Sequence, residues 1–297
     1  MLMKPLVLFC KSYSTDLNRV IRLAQSVQRY NTEKIPFHVS VPAADLPLFR
    51  HHLDGLGVAL HADAEIIQAS PGMAPDILDQ LPGSLTQQII KSEFWRLGLS
   101  ASYLCLDSDA FFIRPFGTAD FLAPDGTPYS VIDEGHEILE DAVRHKKNRV
   151  LAAFREDAQK MQDLFERPGR QYNFGPLPVV WHRAVWASLH ERYLTPRGMS
   201  LADAIMQAPA EARWYGEALL RYQAIRLVPC QALFKVYHYA WQLDQDRRNG
   251  IGEAELAALY CGVIYQSAWE RELDWPQEGG GRLSRTGRRI RRWLGRI

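Results

Sequence analysis

The chain has little that would staple it or anchor it. Its four cysteines, Cys10, Cys105, Cys230 and Cys261, are scattered over 297 residues with no close pair of the kind zinc sites use. They read as reduced thiols of a reducing compartment. No apolar stretch approaches the roughly 20 residues of a membrane-spanning helix. The short apolar run at residues 6–10 leads into polar Lys11-Ser12-Tyr13-Ser14 with no small-residue cleavage site, so it reads as a first strand and not as an export signal. Charge of one sign is also lacking: 35 Lys and Arg face 34 Asp and Glu, for a net charge of +1. That balance argues against a general nucleic-acid binder. Gly-x-x-x-x-Gly-Lys-Ser/Thr, Gly-x-Gly-x-x-Gly and Gly-x-Ser-x-Gly are all missing, so kinase and hydrolase readings lose their usual anchors. There is no internal repeat, and the one low-complexity stretch is Gly279-Gly280-Gly281.

What remains is an ordinary globular composition, 47% hydrophobic and 23% charged, with enough chain for a large α/β core. The first third alternates strand-like and helix-like segments. Residues 6–10 form a continuous apolar run suited to a strand buried on both faces, and Leu17, Val20, Ile21, Ala24 and Val27 then lie on one helical face. Strands are predicted at 36–41 and 64–67, with helices at 45–56 and 85–97, the last carrying Ile89, Ile90, Phe94 and Leu97 and stopping at Gly98. This β-α-β-α rhythm predicts an α/β fold whose mostly parallel central sheet has helices on both faces. Further strands are expected at 128–132, 177–181 and 233–239, and helices at 138–165, 184–193, 211–222 and 253–260. One domain is predicted over residues 1–275. Residues 276–297 read as a Gly-rich hinge and a basic amphipathic tail, with Arg285, Arg288, Arg289, Arg291, Arg292 and Arg296 interleaved with Ile290, Trp293 and Leu294.

The most informative feature is an interruption. Tyr103-Leu104-Cys105-Leu106 breaks into Asp107-Ser108-Asp109 and resumes as Ala110-Phe111-Phe112-Ile113. An ionised carboxylate taken out of water costs several kcal/mol, and a second one nearby makes full ionisation of both harder. Something positive is therefore expected beside them. In an extended chain Asp107 and Asp109 would project from one face, roughly 6 to 7 Å apart, with Ser108 pointing away. A hard divalent ion with oxygen ligands suits such a pair. The motif falls at the C-terminal end of a strand, where open α/β sheets bind ligands.

Leu104-Cys105-Leu106-Asp107-Ser108-Asp109, after a helix with Gln88 and Lys91 and an N-terminal βαβ half, resembles the Asp-x-Asp motif of glycosyltransferases with the GT-A fold. More narrowly, Gln88-Ile89-Ile90-Lys91, Leu106-Asp107-Ser108-Asp109 and Tyr215-Gly216-Glu217 resemble a bacterial family of poorly characterised glycosyltransferase-like proteins. The resemblance covers the chain to about Gln266. It implies that Asp107 and Asp109 hold Mn²⁺ or Mg²⁺ bridging the diphosphate of a nucleotide-sugar, with His238 as a third ligand. It further implies donor contacts from Tyr13, Asp16, Gln88, Lys91 and Ser108, with Tyr13 stacking on the base. An inverting transfer needs a general base, for which Glu211 and then Glu217 are the candidates. Asn173, Trp181 and Trp241 are candidates for an acceptor pocket. Plainer readings stand beside these: a turn or cap for the aspartates, a solvated Lys91, helix capping by Ser14, Thr15 or Asp16, a helix-start Glu211 and core tryptophans.

The expected activity is transfer of a monosaccharide from a nucleotide-sugar to a saccharide or lipid-linked acceptor, in bacterial surface polysaccharide or lipopolysaccharide synthesis. The expected location is cytoplasmic, peripheral on the inner face of the membrane if the basic tail lies on anionic lipid, with no nucleic-acid partner. A solvated or protein-docking tail is the alternative. Two other functions stay open. An Asp-x-Asp phosphatase uses the first carboxylate as nucleophile, but expects the motif on the opening strand. A non-catalytic nucleotide or glycan-binding module would bind without transfer.

Overall fold

The first strand runs through the middle of the protein because both of its faces are apolar. In β1 (Lys4–Lys11), Val7 and Phe9 point to one side and Leu6, Leu8 and Cys10 to the other, and all five are buried. The computed structural model describes residues 4–74, 76–144 and 146–267. After β1 come α1 (Leu17–Tyr30), β2 (Phe37–Val41), α2 (Leu46–His52), β3 (Val58–Ala62), α3 (Asp63–Gln68), α4 (Ile77–Gln80), α5 (Gly83–Glu93) and β4 (Ser100–Leu106). The strands form a sheet in the order β3-β2-β1-β4-β7, where β7 is Val179–His182. The first four are parallel and β7 is antiparallel to β4. This is the expected α/β architecture with a mostly parallel central sheet. Val20, Leu23, Ala24 and Val27 of α1 join the core on one face. Ile89 and Ile90 of α5 join that on the other.

One predicted strand is in the wrong place. Residues 64–67 are helical, within α3, and the third strand is β3 just before them. The Ile66-Ile67 pair looks strand-like, but the Glu65 carboxylate accepts from the Ala62 N–H at 3.1 Å, closing the first turn of a helix. Both isoleucines are buried from that helix.

The apolar segments flanking the acidic motif belong to different sheets. β4 lies in the central sheet, whereas β5 (Ala110–Phe112) pairs antiparallel with β10 (Gly262–Tyr265), which pairs in parallel with β9 (Phe234–Tyr237). The Asp-Ser-Asp segment is thus the crossing from one sheet to the other. Between them come β6 (Tyr129–Val131), α6 (His136–Arg144), α7 (Asn148–Leu164), α8 (Arg183–Leu189), α9 (Leu201–Gln207), α10 (Glu211–Tyr222) and β8 (Val228–Cys230), which pairs with β6. The predicted domain end at residue 275, the glycine hinge and the basic tail lie outside the described residues. No helix among the described residues is long and apolar enough to cross a membrane.

Candidate active site

A cleft of about 1140 Å³ opens at the C-terminal ends of β1 and β4, with Asp63 and Ala64 after β3, the α5 helix and Glu211 also on its walls. It collects Lys11, Ser12, Tyr13, Asp16, Gln88, Lys91, Asp107, Ser108, Asp109 and Glu211 from segments far apart in the chain. The parallel strands end together, so their following loops meet there.

Residues 107–109 form a turn and not an extended strand: the Ala110 N–H donates to the Asp107 carbonyl at 3.1 Å. The two-residue alternation therefore fails, and Ser108 does not point away. Its hydroxyl donates to Asp16 Oδ2 at 3.1 Å, and the other Asp16 oxygen pairs with Arg19. The two aspartates of the motif differ. Asp107, 34% exposed, meets the Lys91 ammonium, 2.5 Å from Oδ1. Asp109 is buried and accepts from the Ser267 N–H at 2.9 Å, while its backbone carbonyl accepts from Arg22 and from the Tyr265 N–H.

Lys91 is the hub. Only 3% of its side chain is exposed, and Nζ lies 2.5 Å from Asp107 Oδ1 and 3.7 Å from Glu211 Oε1. Burial works against its charge, but the Asp107 and Glu211 carboxylates outweigh that and hold the ammonium above its ordinary range. Glu211 opens α10 and is largely buried; burial pushes its carboxyl above the ordinary range, with Lys91 opposing. A second buried pair went unseen in the sequence. Lys11 Nζ lies 2.7 Å from Asp63 Oδ2 and donates to the Ser12 carbonyl, while the Ser40 hydroxyl donates to Asp63 Oδ1 at 2.6 Å. Lys11 ends a visibly apolar run, but its partner was hidden by the misplaced third strand.

Among the described residues, Ser12 Oγ and Gln88 Oε1 on these walls are buried without a hydrogen-bond partner. The Gln88 amide nitrogen is spent on the Ser84 carbonyl at 3.0 Å. Such orphans cost free energy unless a ligand or water completes them. Tyr13 stands at the cleft, 48% exposed, with its ring open to an incoming planar group.

Other sequence candidates lie elsewhere. Glu217 is buried and held at both oxygens by Arg167, at 2.5 and 3.0 Å. Six residues on a helix rotate the direction by about 600°, so Glu211 and Glu217 point about 120° apart and cannot both face the cleft. Trp181, 1% exposed, packs edge-on to Tyr103 and Trp186 in the core. Asn173 exchanges backbone hydrogen bonds with Asp133 and donates its side-chain amide to the Gly175 carbonyl. Trp241 stacks on Tyr239. None of these four lines the cleft. His238 directly follows β9, yet among the described residues no three His, Cys, Asp or Glu side chains gather closely enough to hold a metal ion.

Gly216 is explained by packing and not by substrate: a Cβ there would stand 2.0 to 2.5 Å from the Phe174 ring. Gly216→Ala is expected to cost roughly 1–3 kcal/mol through forced displacement of that ring. Denaturant unfolding measures it, and an unchanged midpoint would refute the packing role.

The donor set does fit a magnesium-like ion. Such ions take one or two carboxylates and complete their shell with water and substrate phosphates. Asp107 offers an oxygen to the cleft beyond the one that Lys91 engages, and Asp109 is two residues away on the same turn. The cleft carries six carboxylates, those of Asp16, Asp63, Asp79, Asp107, Asp109 and Glu211, against the ammonium groups of Lys11 and Lys91 and the Arg19 guanidinium that pairs with Asp16. A polyanion entering such a cleft needs a cation with it.

A family model described as "Family of unknown function (DUF6492)" matches residues 2–249. No curated protein matches the sequence. Among solved structures, the chain is similar to the apo form of mouse xyloside xylosyltransferase 1, with a TM-score of 0.44 and 10% identity over 88% of this chain and 98% of that one. It is similar also to galactosyltransferase LgtC in complex with donor and acceptor sugar analogues, with a TM-score of 0.44 and 12% identity over 88% of this chain and 87% of that one.

Proposed function

We propose that this chain, which belongs to the DUF6492 family, is a GT-A-type glycosyltransferase that moves a monosaccharide from a nucleotide-sugar to a saccharide or lipid-linked acceptor with a divalent cation. The observation that carries this reading is the acidic turn at the end of β4, set in a large cleft whose carboxylates call for a cation to accompany any diphosphate. The two orphaned polar atoms, Ser12 Oγ and Gln88 Oε1, support a bound polar ligand on the same walls.

In this reading Asp107 and Asp109 hold Mn²⁺ or Mg²⁺. When bound, that ion neutralises charge gathering on the departing nucleoside diphosphate. The remaining work falls to side chains of the chain. Tyr13 stacks on the base from its exposed position, and Asp16, already oriented by Arg19 and Ser108, accepts from base or ribose. Lys91 supplies a fixed positive charge to the phosphate beside the leaving bond. Glu211 takes the proton of the acceptor hydroxyl at its carboxylate in an inverting transfer. Its position next to Lys91 and its raised carboxyl suit that role better than Glu217, which Arg167 occupies. A lipid-linked acceptor of a bacterial surface polysaccharide would be met on the cytoplasmic face of the membrane.

The test is a thermal-shift screen of nucleoside diphosphates and nucleotide-sugars, each with and without Mn²⁺. Stabilisation by one base, dependent on the metal, is the expected result. Phosphate release from generic phosphoesters with no nucleotide effect would point to the phosphatase, and nucleotide binding with neither transfer nor donor hydrolysis to a binding module.

The pH profile gives a second check. A general base must be ionised, so kcat/KM is expected to fall as pH drops through a Glu211 value lying above the ordinary 4.5. Glu211→Gln is expected to lower kcat by about 10²–10⁴. Wild-type turnover in that variant would remove Glu211 from the chemistry.

A further inference from the structure

We infer that Lys91 makes the cleft reject a free divalent cation and accept one only together with a nucleotide; this rests on the reading of Asp107 as a metal ligand. Lys91 already does for Asp107 what a metal would do. Its Nζ lies 2.5 Å from Oδ1 and 3.7 Å from Glu211 Oε1, so one buried ammonium serves both carboxylates. The other ammonium of the cleft is committed elsewhere, to Asp63 at 2.7 Å.

Lys91 is also poorly placed to step aside. It sits in the last turn of α5 behind buried Ile89 and Ile90, and its own carbonyl accepts from the Tyr103 hydroxyl at 2.8 Å. The backbone is therefore fixed and the ammonium has only side-chain freedom. A bare dication reaching Asp107 meets the like charge of an ammonium only 3% exposed, and the two compete for one carboxylate. A diphosphate changes the balance. It would bring negative charge that both cations can share, and the hydrogen bonds that Lys91 gives Asp107 could be given to phosphate oxygens instead. Metal and nucleotide then favour each other, and by linkage each strengthens the other's binding by the same factor.

The charge also answers why a lysine would be buried among the metal ligands of a cation-dependent site. A neutral residue there would let the acidic cleft fill with whatever divalent ion is present. With Lys91 in place, occupancy by metal reports the presence of donor.

Isothermal titration of the intact protein tests this with Mn²⁺ alone, then with Mn²⁺ in the presence of UDP, GDP, CDP or ADP in turn. Wild type is expected to bind Mn²⁺ alone at least about tenfold more weakly than with the matching nucleotide. Lys91→Met is expected to tighten binding of Mn²⁺ alone by about tenfold or more and to weaken the metal-dependent binding of nucleotide. Lys91→Arg keeps the charge and is expected to stay weak for Mn²⁺ alone. Wild type that binds Mn²⁺ equally with and without nucleotide overturns the inference without any variant. So does a folded Lys91→Met, or Lys91→Gln in its place, that binds Mn²⁺ no tighter than wild type. If none of the nucleotides binds wild type in a Mn²⁺-dependent way, the metal reading of Asp107 fails and the inference with it. Metal-dependent nucleotide binding with no effect of Lys91 removes the inference alone.

Discussion

Asp107→Asn is expected to lose metal-dependent nucleotide binding by at least about a hundredfold, since even outer-shell partners of bound metals are worth 10–100-fold. Sugar transfer should fall at least as far. The substitution is chosen because the structure gives Asp107 few other duties. Among the described residues its carboxylate pairs with one protein group, the Lys91 ammonium, and a third of the side chain is open to the cleft. An Asn oxygen can still accept from Lys91, which retains Glu211 as a counter-ion at 3.7 Å. Because Lys91 is only 3% exposed, losing the opposite charge is expected to cost about 1–3 kcal/mol, held below the cost of a fully stranded charge by the retained hydrogen bond and by Glu211.

Asp109→Ala is a less clean experiment. Asp109 holds the Ser267 N–H, two residues past β10, with its side chain, so its carboxylate tethers the end of that strand as well as facing the cleft, while its carbonyl bonds to Arg22 and the Tyr265 N–H would survive in alanine. Loss of function there would mix a missing ligand with a loosened strand. Titration of Asp107→Asn with Mn²⁺ and the nucleotide picked out by the shift screen, beside thermal unfolding, separates the two. Full transfer by Asp107→Asn, or by wild type in EDTA, would reject the metal-assisted mechanism.

The comparison of Asp107 with Asp109 also marks how far the sequence can be read. Residues with short-range consequences were legible. The doubly apolar run of β1, the Val20 to Val27 stripe of α1 and the stop at Gly98, which takes a left-handed φ of 67°, all follow from local pattern. So does the place of the acidic motif at a strand end, because parallel sheets gather their ligand loops there. What failed depended on partners distant in the chain. Asp63 matters through Lys11 and Ser40, and no periodicity announces that meeting. The turn at Asp107 to Asp109 exists because β5 leaves for a second sheet built with β10, a strand not among those predicted from the sequence. Trp181 looks like a sugar platform in sequence and is a core residue because β7 joins the central sheet beside β4, placing its ring against Tyr103. Identity of a side chain suggests chemistry, but burial and pairing decide whether the chemistry is available.

Glu217 carries that lesson furthest, and Arg167→Leu is expected to be the most destabilising of these substitutions. Glu217 is almost fully buried, with 3% of its side chain exposed, and both oxygens rest on the Arg167 guanidinium, itself 9% exposed. Taking away the arginine strands a buried carboxylate, which typically costs about 3–5 kcal/mol. The same guanidinium donates to the Arg170 carbonyl at 2.9 Å, so the turn after α7 loses a tether too. For a chain of this size the melting temperature should fall by on the order of 10 °C. Replacing both partners, Arg167→Leu with Glu217→Leu, should recover most of the loss, because two apolar side chains leave no charge behind. Recovery of stability in the double variant, with transfer per folded molecule near wild type, would establish Glu217 as a scaffold residue that holds α10 and, six residues earlier on that helix, Glu211 in place. Loss of turnover in a fully folded Glu217→Gln variant, to the extent expected of Glu211→Gln, would reverse that assignment and return Glu217 to the chemistry.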